Sequence, residues 1–216
     1  MIYGAANRPL LERVPRTASR ILDVGCGTGA LGQLIKATMD CRIVGVTYSE
    51  GEAEVAHNYL DEVVVCDLNT FTPTNSDYFD CIICSHVLEH LYEPAAVLKR
   101  LLKALSAEGT LIVALPNVLH WRQRLEFVFG RFKYTDGGLM DRTHYRFFDW
   151  VTAQELLSDS GYVVTEAVAD GSFPLSKFFF SAGRVLDHVA VSSAPGLFGF
   201  QFLFVYRPAA GEVAMS

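Results

Sequence analysis

The sequence predicts an α/β protein built on a parallel sheet with helices on both faces. Three observations carry this. Short apolar, β-branched runs alternate with stretches of helical periodicity from Arg20 to Leu115, the pattern of strands buried on both faces and joined by helical crossovers. The first run ends in three glycines within five residues, Gly25, Gly27 and Gly29, before a helical pattern begins, which reads as strand, tight turn and helix start. Polar residues, Asp23, Thr47, Asp67 and Ser85, fall at the carboxyl ends of successive strands, where open sheets of this kind gather ligands near the switch in strand order.

The elements follow in order. Residues 1–19 are a short lead in which Arg8 to Val14 is apolar enough for one or two helical turns before Pro15. Ile21, Leu22 and Val24 form the first strand, and Leu31, Leu34 and Ile35 give the next helix its apolar stripe as far as about Thr38. Arg42 to Thr47 (RIVGVT) is the second strand. Ser49 is suited to cap the helix after it, with Glu50 and Glu52 in the first turn. Glu62 to Asp67 (EVVVCD) reads as the third strand, followed by a polar loop holding Thr70, Thr72, Pro73, Asn75 and Ser76. The fourth strand is Phe79 to Ser85 (FDCIICS), followed by a helix from about Pro94 to Ser106 that Gly109 closes off. Thr110 to Leu115 is a fifth strand stopped by Pro116.

The glycine turn fits two ligand classes. Gly25-Cys26-Gly27-Thr28-Gly29-Ala30 satisfies the dinucleotide pattern, in which glycines and a helix start hold a pyrophosphate. It equally satisfies an acidic-x-G-x-G-x-G pattern, with Asp23 at the strand end. A carboxylate there suits a cationic ligand better than a phosphate.

Composition sets the bounds. At 216 residues, 50% apolar and 19% charged, the chain is one packed domain or one domain with a small addition. A net charge of -6 argues against general nucleic-acid binding, which needs a basic face. The five cysteines, Cys26, Cys41, Cys66, Cys81 and Cys84, lie in or beside strands, as reduced buried thiols do. Cys81 and Cys84 are three apart on one strand and so point to opposite faces, which disfavours a redox or zinc pair. The N-terminal stretch lacks the basic and apolar regions of a secretory signal, and no apolar run approaches the roughly 20 residues needed to cross a bilayer. A cytoplasmic protein is expected.

The stretch after the fourth strand, SHVLEHL, then a helix, then GTLIVALPN, resembles class I S-adenosylmethionine (SAM) methyltransferases. With ILDVGCGTG, VGVTYSE and the Cys66-Asp67-Leu68 triplet, the resemblance covers about Ile21 to Phe148, and several motifs in order are more specific than any one. It implies SAM as cofactor. Asp23, Gly25 and Gly27, with Cys26 and Gly29 in the same turn, would line its methionine and sulfonium part. Thr47 and Tyr48 would lie toward the ribose, Asp67 and Leu68 at the adenine, and Ser85 near the reacting centre. Thr47 departs from the family pattern, which has an acidic residue there to hold both ribose hydroxyls, since one hydroxyl engages only one of them well. Thr at this place is also seen in the cyclopropane-synthase branch of these enzymes. The same departure weakens the dinucleotide reading, whose fingerprint has an acid about 20 positions past the glycines.

The rest of the chain is expected to carry acceptor specificity. Pro116 to Arg124 (PNVLHWRQR) is amphipathic, aromatic and basic, and Phe127 to Asp141 reads as an ordered loop or lid. Arg142 to Phe148 (RTHYRFF) precedes a helix from Trp150 to Gly161 that Thr152 is placed to cap. This order is similar to that of MetW-like and glycan-cluster methyltransferases. Strand six is Tyr162 to Val168 and strand seven Phe200 to Tyr206. The resemblance implies a Rossmann-like seven-stranded sheet, mainly parallel with the last strand antiparallel. The expected layout is a single domain over 1–216, with a cofactor half at about 17–116, an acceptor-side insert at about 117–150 and closing strands at about 160–208. The aromatic segment Phe173 to Phe204, including Phe178, Phe179 and Phe180, reads as packing against the sheet, or as a homodimer face or apolar channel.

Methyl transfer asks the protein to align nucleophile, methyl and sulfur and to exclude water, with a base if the acceptor is a hydroxyl. Of His86, His90, His120 and His144, His144 is the first candidate for base or acceptor-orienting group and His86 the second. His86, Glu89 and His90 have the i, i+3, i+4 spacing of one helical face, and with His144 they resemble the E-x-x-E-H metal site of small-RNA and ubiquinone O-methyltransferases. The same V-L-E-H packs and caps a helix in relatives without metal, so no metal ligand is assigned. The expected function is O-methylation of a small-molecule or sugar-like acceptor. The alternatives are a non-catalytic regulatory subunit keeping the cofactor fold, which the MetW-like resemblance permits, and an NAD-dependent oxidoreductase.

Overall fold

A computed structural model of the chain describes residues 7–74, 78–174, 176 and 180–209. Seven strands form one sheet, β1 (Arg20–Val24), β2 (Arg42–Thr47), β3 (Glu62–Val65), β4 (Phe79–Ser85), β5 (Leu105–Pro116), β6 (Tyr162–Gly171) and β7 (Gly199–Pro208). Their order is β3-β2-β1-β4-β5-β7-β6. β1 to β5 pair in parallel, while β7 enters between β5 and β6 antiparallel to both. The chain moves outward from β1 through β2 to β3, then returns beside β1 as β4. That reversal opens a crevice at the carboxyl ends of β1 and β4.

Alternation along the strands divides the core in two. Ile21, Ile43, Ile83 and Ile112 face one side with Leu10 of α1 (Arg8–Leu11), Leu31 and Ile35 of α2 (Ala30–Lys36) and Ala56 of α3 (Glu50–Ala56). Leu22, Ile82, Leu111 and Val113 face the other, against Val97, Leu98 and Leu101 of α4 (Pro94–Ala104). Cys81 belongs to the first cluster and Cys84 to the second, so the two thiols are separated by the sheet. All five cysteines are free.

Several boundaries differ from expectation. β5 begins at Leu105, with a register shift against β4 between Phe79 and Cys81, so Gly109 lies inside the strand. α5 (Trp121–Val128) follows β5, and α6 (Trp150–Ser158) opens the return to the sheet. α6 is capped by Asp149 rather than Thr152. The Asp149 carboxylate accepts from the Val151 and Thr152 amides, and the Thr152 hydroxyl accepts from the Asp149 amide, a reciprocal capping box. α7 (Phe180–Ser193) and α8 (Pro195–Phe198) connect β6 to β7. Of the aromatic segment, Phe202 and Phe204 are fully buried against Trp150. Phe178 and Phe179 lie outside the described residues, as do Asn75 and Ser76. Among the described residues no helix is long and apolar enough to cross a membrane.

Losing the Asp149 cap removes partners from two amides and the docking of α6 with it. Asp149→Ala is therefore expected to lower stability by about 1 kcal/mol, measured as a shift in the urea unfolding midpoint.

Candidate active site

A cavity of about 810 Å³ occupies the crevice. Asp23, Gly25, Cys26, Gly27, Thr47, Tyr48, Asp67, Leu68, Ser85 and His86 all line it, so residues spread over the cofactor half of the sequence converge. Gly29 does not line it. It starts α2 with a left-handed backbone (φ 79), and a Cβ there would stand 3.2 Å from the Ala56 Cα. Its role is close packing of α2 on α3. The Gly25 and Cys26 amides both donate to the Val46 carbonyl, at 2.8 and 2.9 Å. Those bonds tie the turn to β2.

Asp23 marks one end of the cavity. Its side chain is 2% exposed, and Oδ2 has no hydrogen-bond partner. Burial alone raises its pKa to about 7. A cationic group arriving here would meet an acceptor with nothing else to hold. Burial also pushes the Cys26, Cys81 and Cys84 thiols up, which keeps them protonated and unreactive.

Midway along the wall, the missing acid at the end of β2 is supplied from elsewhere. The buried Thr47 hydroxyl donates to Glu52 Oε2 at 2.9 Å, and Glu52 lines the cavity from the first turn of α3. Thr47 holds a carboxylate in place instead of contributing one. Past it, Asp67 Oδ1 accepts from both the amide and the side-chain nitrogen of Asn69 at 2.9 Å, which leaves its second oxygen for a ligand donor. Asn69 and Tyr92 complete this end.

The other side of the cavity is built by the loop after β4 and the insert. His86 adopts a left-handed backbone (φ 53), so it is not on one helical face with Glu89 and His90, which lie in a 3-10 turn (Leu88–His90). Its Nε2 is 2.8 Å from Gln201 Oε1 and its Nδ1 3.4 Å from Glu89 Oε1. Burial lowers the His86 pKa, but the hydrogen bond and charge of Glu89 outweigh it, and the net shift is upward. With both ring nitrogens facing acceptors, His86 is placed as a fixed partner of Glu89 and Gln201 rather than as a base.

The insert is pinned to this loop through its backbone. The Tyr145 and Arg146 amides both donate to the Glu89 carbonyl, at 2.9 and 3.1 Å, and the Arg146 guanidinium donates to the Tyr92 carbonyl. This brings His144 beside Glu89 and His90. Ligating atoms of Glu89, His90 and His144 lie within 4.8 Å of one another. Glu89 is 1% exposed, and apart from the 3.4 Å approach of His86 Nδ1 to Oε1 its carboxylate oxygens have no hydrogen-bond partner. His90 Nδ1 faces the Thr143 carbonyl at 3.1 Å. His144 Nδ1 is buried without a partner, and burial lowers the pKa of this ring. His144 lines a smaller cleft with Tyr134, Arg142, Tyr145 and Phe147. Arg142 and Tyr145 are shared with the main cavity. His120, another sequence candidate, is buried against Trp121 and Phe200 and does not line the cavity.

The strand order, glycine turn and cavity define a class I methyltransferase fold. A family described as a methyltransferase domain matches residues 3–167, and the chain belongs to that family. The trans-aconitate 2-methyltransferase of Methylobacterium radiotolerans is 35% identical over 114 residues, 51% of this chain and 43% of the relative. The ubiquinone biosynthesis O-methyltransferase of Marinobacter nauticus is 30% identical over 114 residues, 49% of this chain and 48% of the relative. The chain thus spans about half the length of these two curated relatives. Among solved structures, a SAM-dependent methyltransferase from Archaeoglobus fulgidus aligns with a TM-score of 0.67 at 19% identity, over 93% of this chain and 91% of that one. An O-methyltransferase from a multienzyme of Brevibacillus brevis, solved with S-adenosyl-L-homocysteine, aligns with a TM-score of 0.60 at 18% identity, over 94% and 71%. At these identities the solved structures speak to the fold. Membership of a methyltransferase-domain family, with the fold shared by solved SAM-dependent methyltransferases, speaks against the oxidoreductase alternative. The unpartnered Asp23 oxygen and the unoccupied oxygen of Asp67 suit the ammonium and adenine ends of such a cofactor.

Asp23 must be ionised to face a cation, and its raised pKa depletes the ionised form as pH falls. SAM affinity, measured by calorimetry, is expected to weaken as pH drops through about 7. In Asp23→Asn, which cannot ionise, binding is weak throughout and this dependence is lost.

Proposed function

We propose that this chain transfers the methyl group of SAM to an oxygen of a small-molecule or sugar-like acceptor. The observation that carries the reading is the sequence of groups along one cavity wall: an unpartnered buried carboxylate at Asp23, a Thr47-held carboxylate at Glu52, and a half-used carboxylate at Asp67. They suit an ammonium, a pair of ribose hydroxyls and an exocyclic amine in the order that SAM presents them. The O-methyltransferase named among the relatives supports oxygen as the atom methylated.

SAM supplies an activated methyl on a sulfonium, so no residue needs to form a bond to carbon. In this reading Ser85 and the glycine turn hold the methionine part while the segment from Asp141 to Tyr145 closes the acceptor side against water. On the same reading His144, in the cleft beside the cavity, takes the acceptor's proton. Burial lowers the pKa of this ring, which favours its neutral form, and general bases of this kind contribute roughly 10² to 10⁴ in rate.

One observation favours a second reading of the same cluster. A buried carboxylate with a ligating atom of each of two imidazoles within 4.8 Å is also a ligand set for a divalent cation. Glu89, His90 and His144 would hold the ion, which would polarise the acceptor oxygen.

Three measurements test these readings. Glu52→Gln is expected to raise the dissociation constant for SAM about ten-fold, the value of a lost charge-assisted hydrogen bond. His144→Ala is expected to lower methyl transfer from labelled SAM by about a hundred-fold or more with SAM affinity unchanged. Activity that survives exhaustive chelation assigns His144 as the base, whereas activity lost on chelation and restored by a divalent ion assigns the cluster to a metal. Failure of the protein to bind SAM overturns the whole proposal.

A further inference from the structure

The helix after β5 leaves its apolar side uncovered. No residue of α5 is buried. Leu125 and Val128 of α5, Phe129 at its C-cap and Phe132 past the left-handed Gly130 are 49%, 79%, 71% and 59% exposed. The aromatic side chains are already ordered against one another, with the Phe127 and Phe132 rings stacked at 5.4 Å and Tyr134 edge-on to Phe132 at 5.6 Å. A row of large apolar groups at consecutive i, i+3 and i+4 positions, facing outward, is the side of an amphipathic element that meets another apolar phase.

The charge around this row narrows what it meets. Residues 121–134 carry Arg122, Arg124, Arg131 and Lys133 against Glu126 alone, in a chain whose net charge is -6. Arg124 is tied to the Leu119 and Gly196 carbonyls and Arg131 faces Glu126 at 3.6 Å, while the Arg122 guanidinium lies over the Trp121 ring at 5.1 Å. Positive charge concentrated beside exposed Phe, Val and Leu matches a surface that is anionic at the headgroups and apolar just beneath. A second copy of the chain fits poorly, because a two-fold contact would set these cations against their own images.

We infer that α5 and the turn after it, Leu125 to Tyr134, dock this protein on an anionic phospholipid surface. The attachment is peripheral: the apolar row enters the interface while Arg122, Arg131 and Lys133 meet the phosphates. The docking face is continuous with the acceptor side, because Tyr134 lines the small cleft that shares Arg142 and Tyr145 with the main cavity. The inference concerns the surface only and stands whatever the acceptor is.

Flotation of the full chain with vesicles tests it. Binding is expected to vesicles of phosphatidylcholine with phosphatidylglycerol, to fade as salt rises, and to be absent with phosphatidylcholine alone. Phe129→Asp combined with Phe132→Asp is expected to abolish binding, and Arg131→Glu with Lys133→Glu to abolish it too. Because all four side chains are exposed and none lines the main cavity, both variants should retain wild-type SAM affinity and unfolding midpoint. The inference is overturned if the wild-type chain stays unbound at low salt, if either variant floats like wild type, or if sedimentation shows a dimer that Phe129→Asp dissociates.

Discussion

Two carboxylates removed from water set the conditions for everything around the cavity. Asp23 and Glu89 are 2% and 1% exposed, and they follow from adjacent strands, one within β1 and one just after β4. Burying an unpaired charge costs several kcal/mol, more than one ordinary hydrogen bond returns. At Asp23 burial raises the pKa to about 7, so near neutral pH a proton takes up part of that cost. At Glu89 the His86 ring does so in part. That ring reaches Glu89 only because the His86 backbone is left-handed, a conformation costing about 1–2 kcal/mol for a residue with a Cβ. Both sites are therefore better satisfied with a cationic ligand in the cavity or beside it than without one.

The insert matters because it turns two distant stretches of chain into one wall. Its amides bond the Glu89 carbonyl and its arginine the Tyr92 carbonyl, while the Tyr92 and Tyr145 rings lie 4.3 Å apart. The start of the insert is fixed by Asn117, fully buried, whose side-chain nitrogen donates to the Gly196 and Gly199 carbonyls and whose oxygen accepts from the Leu119 amide. Both donors and the oxygen of that side chain are engaged by backbone groups. The Pro-Asn pair that ends β5 is thus a fastening point, which lets α5 project outward with no core contact of its own.

Much of the sheet could be read from residues alone because its strands are buried on both faces. RIVGVT and FDCIICS admit no amphipathic helix, and the observed β2 and β4 coincide with those runs. Boundaries set by hydrogen bonds rather than periodicity were not legible. β5 starts at Leu105 because its backbone finds Phe79 across a register shift, and Asp149 caps α6 because it sits one residue ahead of Trp150. At the site, residues on strand ends were found and those projected from neighbouring elements were not. Glu52 was visible only as an acid in a helical first turn. Its signal was the five-residue step from Thr47, which one turn of α3 brings back over the strand end. Gly29 failed in the other direction, since a glycine that permits helix packing is indistinguishable by sequence from one that admits a ligand. The histidines depended on a positive φ at His86, which no pattern announced.

The place of β7 has a bearing on how the chain comes to be folded during synthesis. β5 and β6 are not neighbours; the strand that joins them is formed by residues 199–208, which are synthesised after the other six strands of the sheet. Until then β5 presents an open edge carrying Ile112, Val113 and Ala114, a template for pairing with other nascent chains. Chaperone protection would be needed longest at that edge. Chains halted before residue 199 should be held in an aggregation-prone state even though the whole of the cofactor half has already been made.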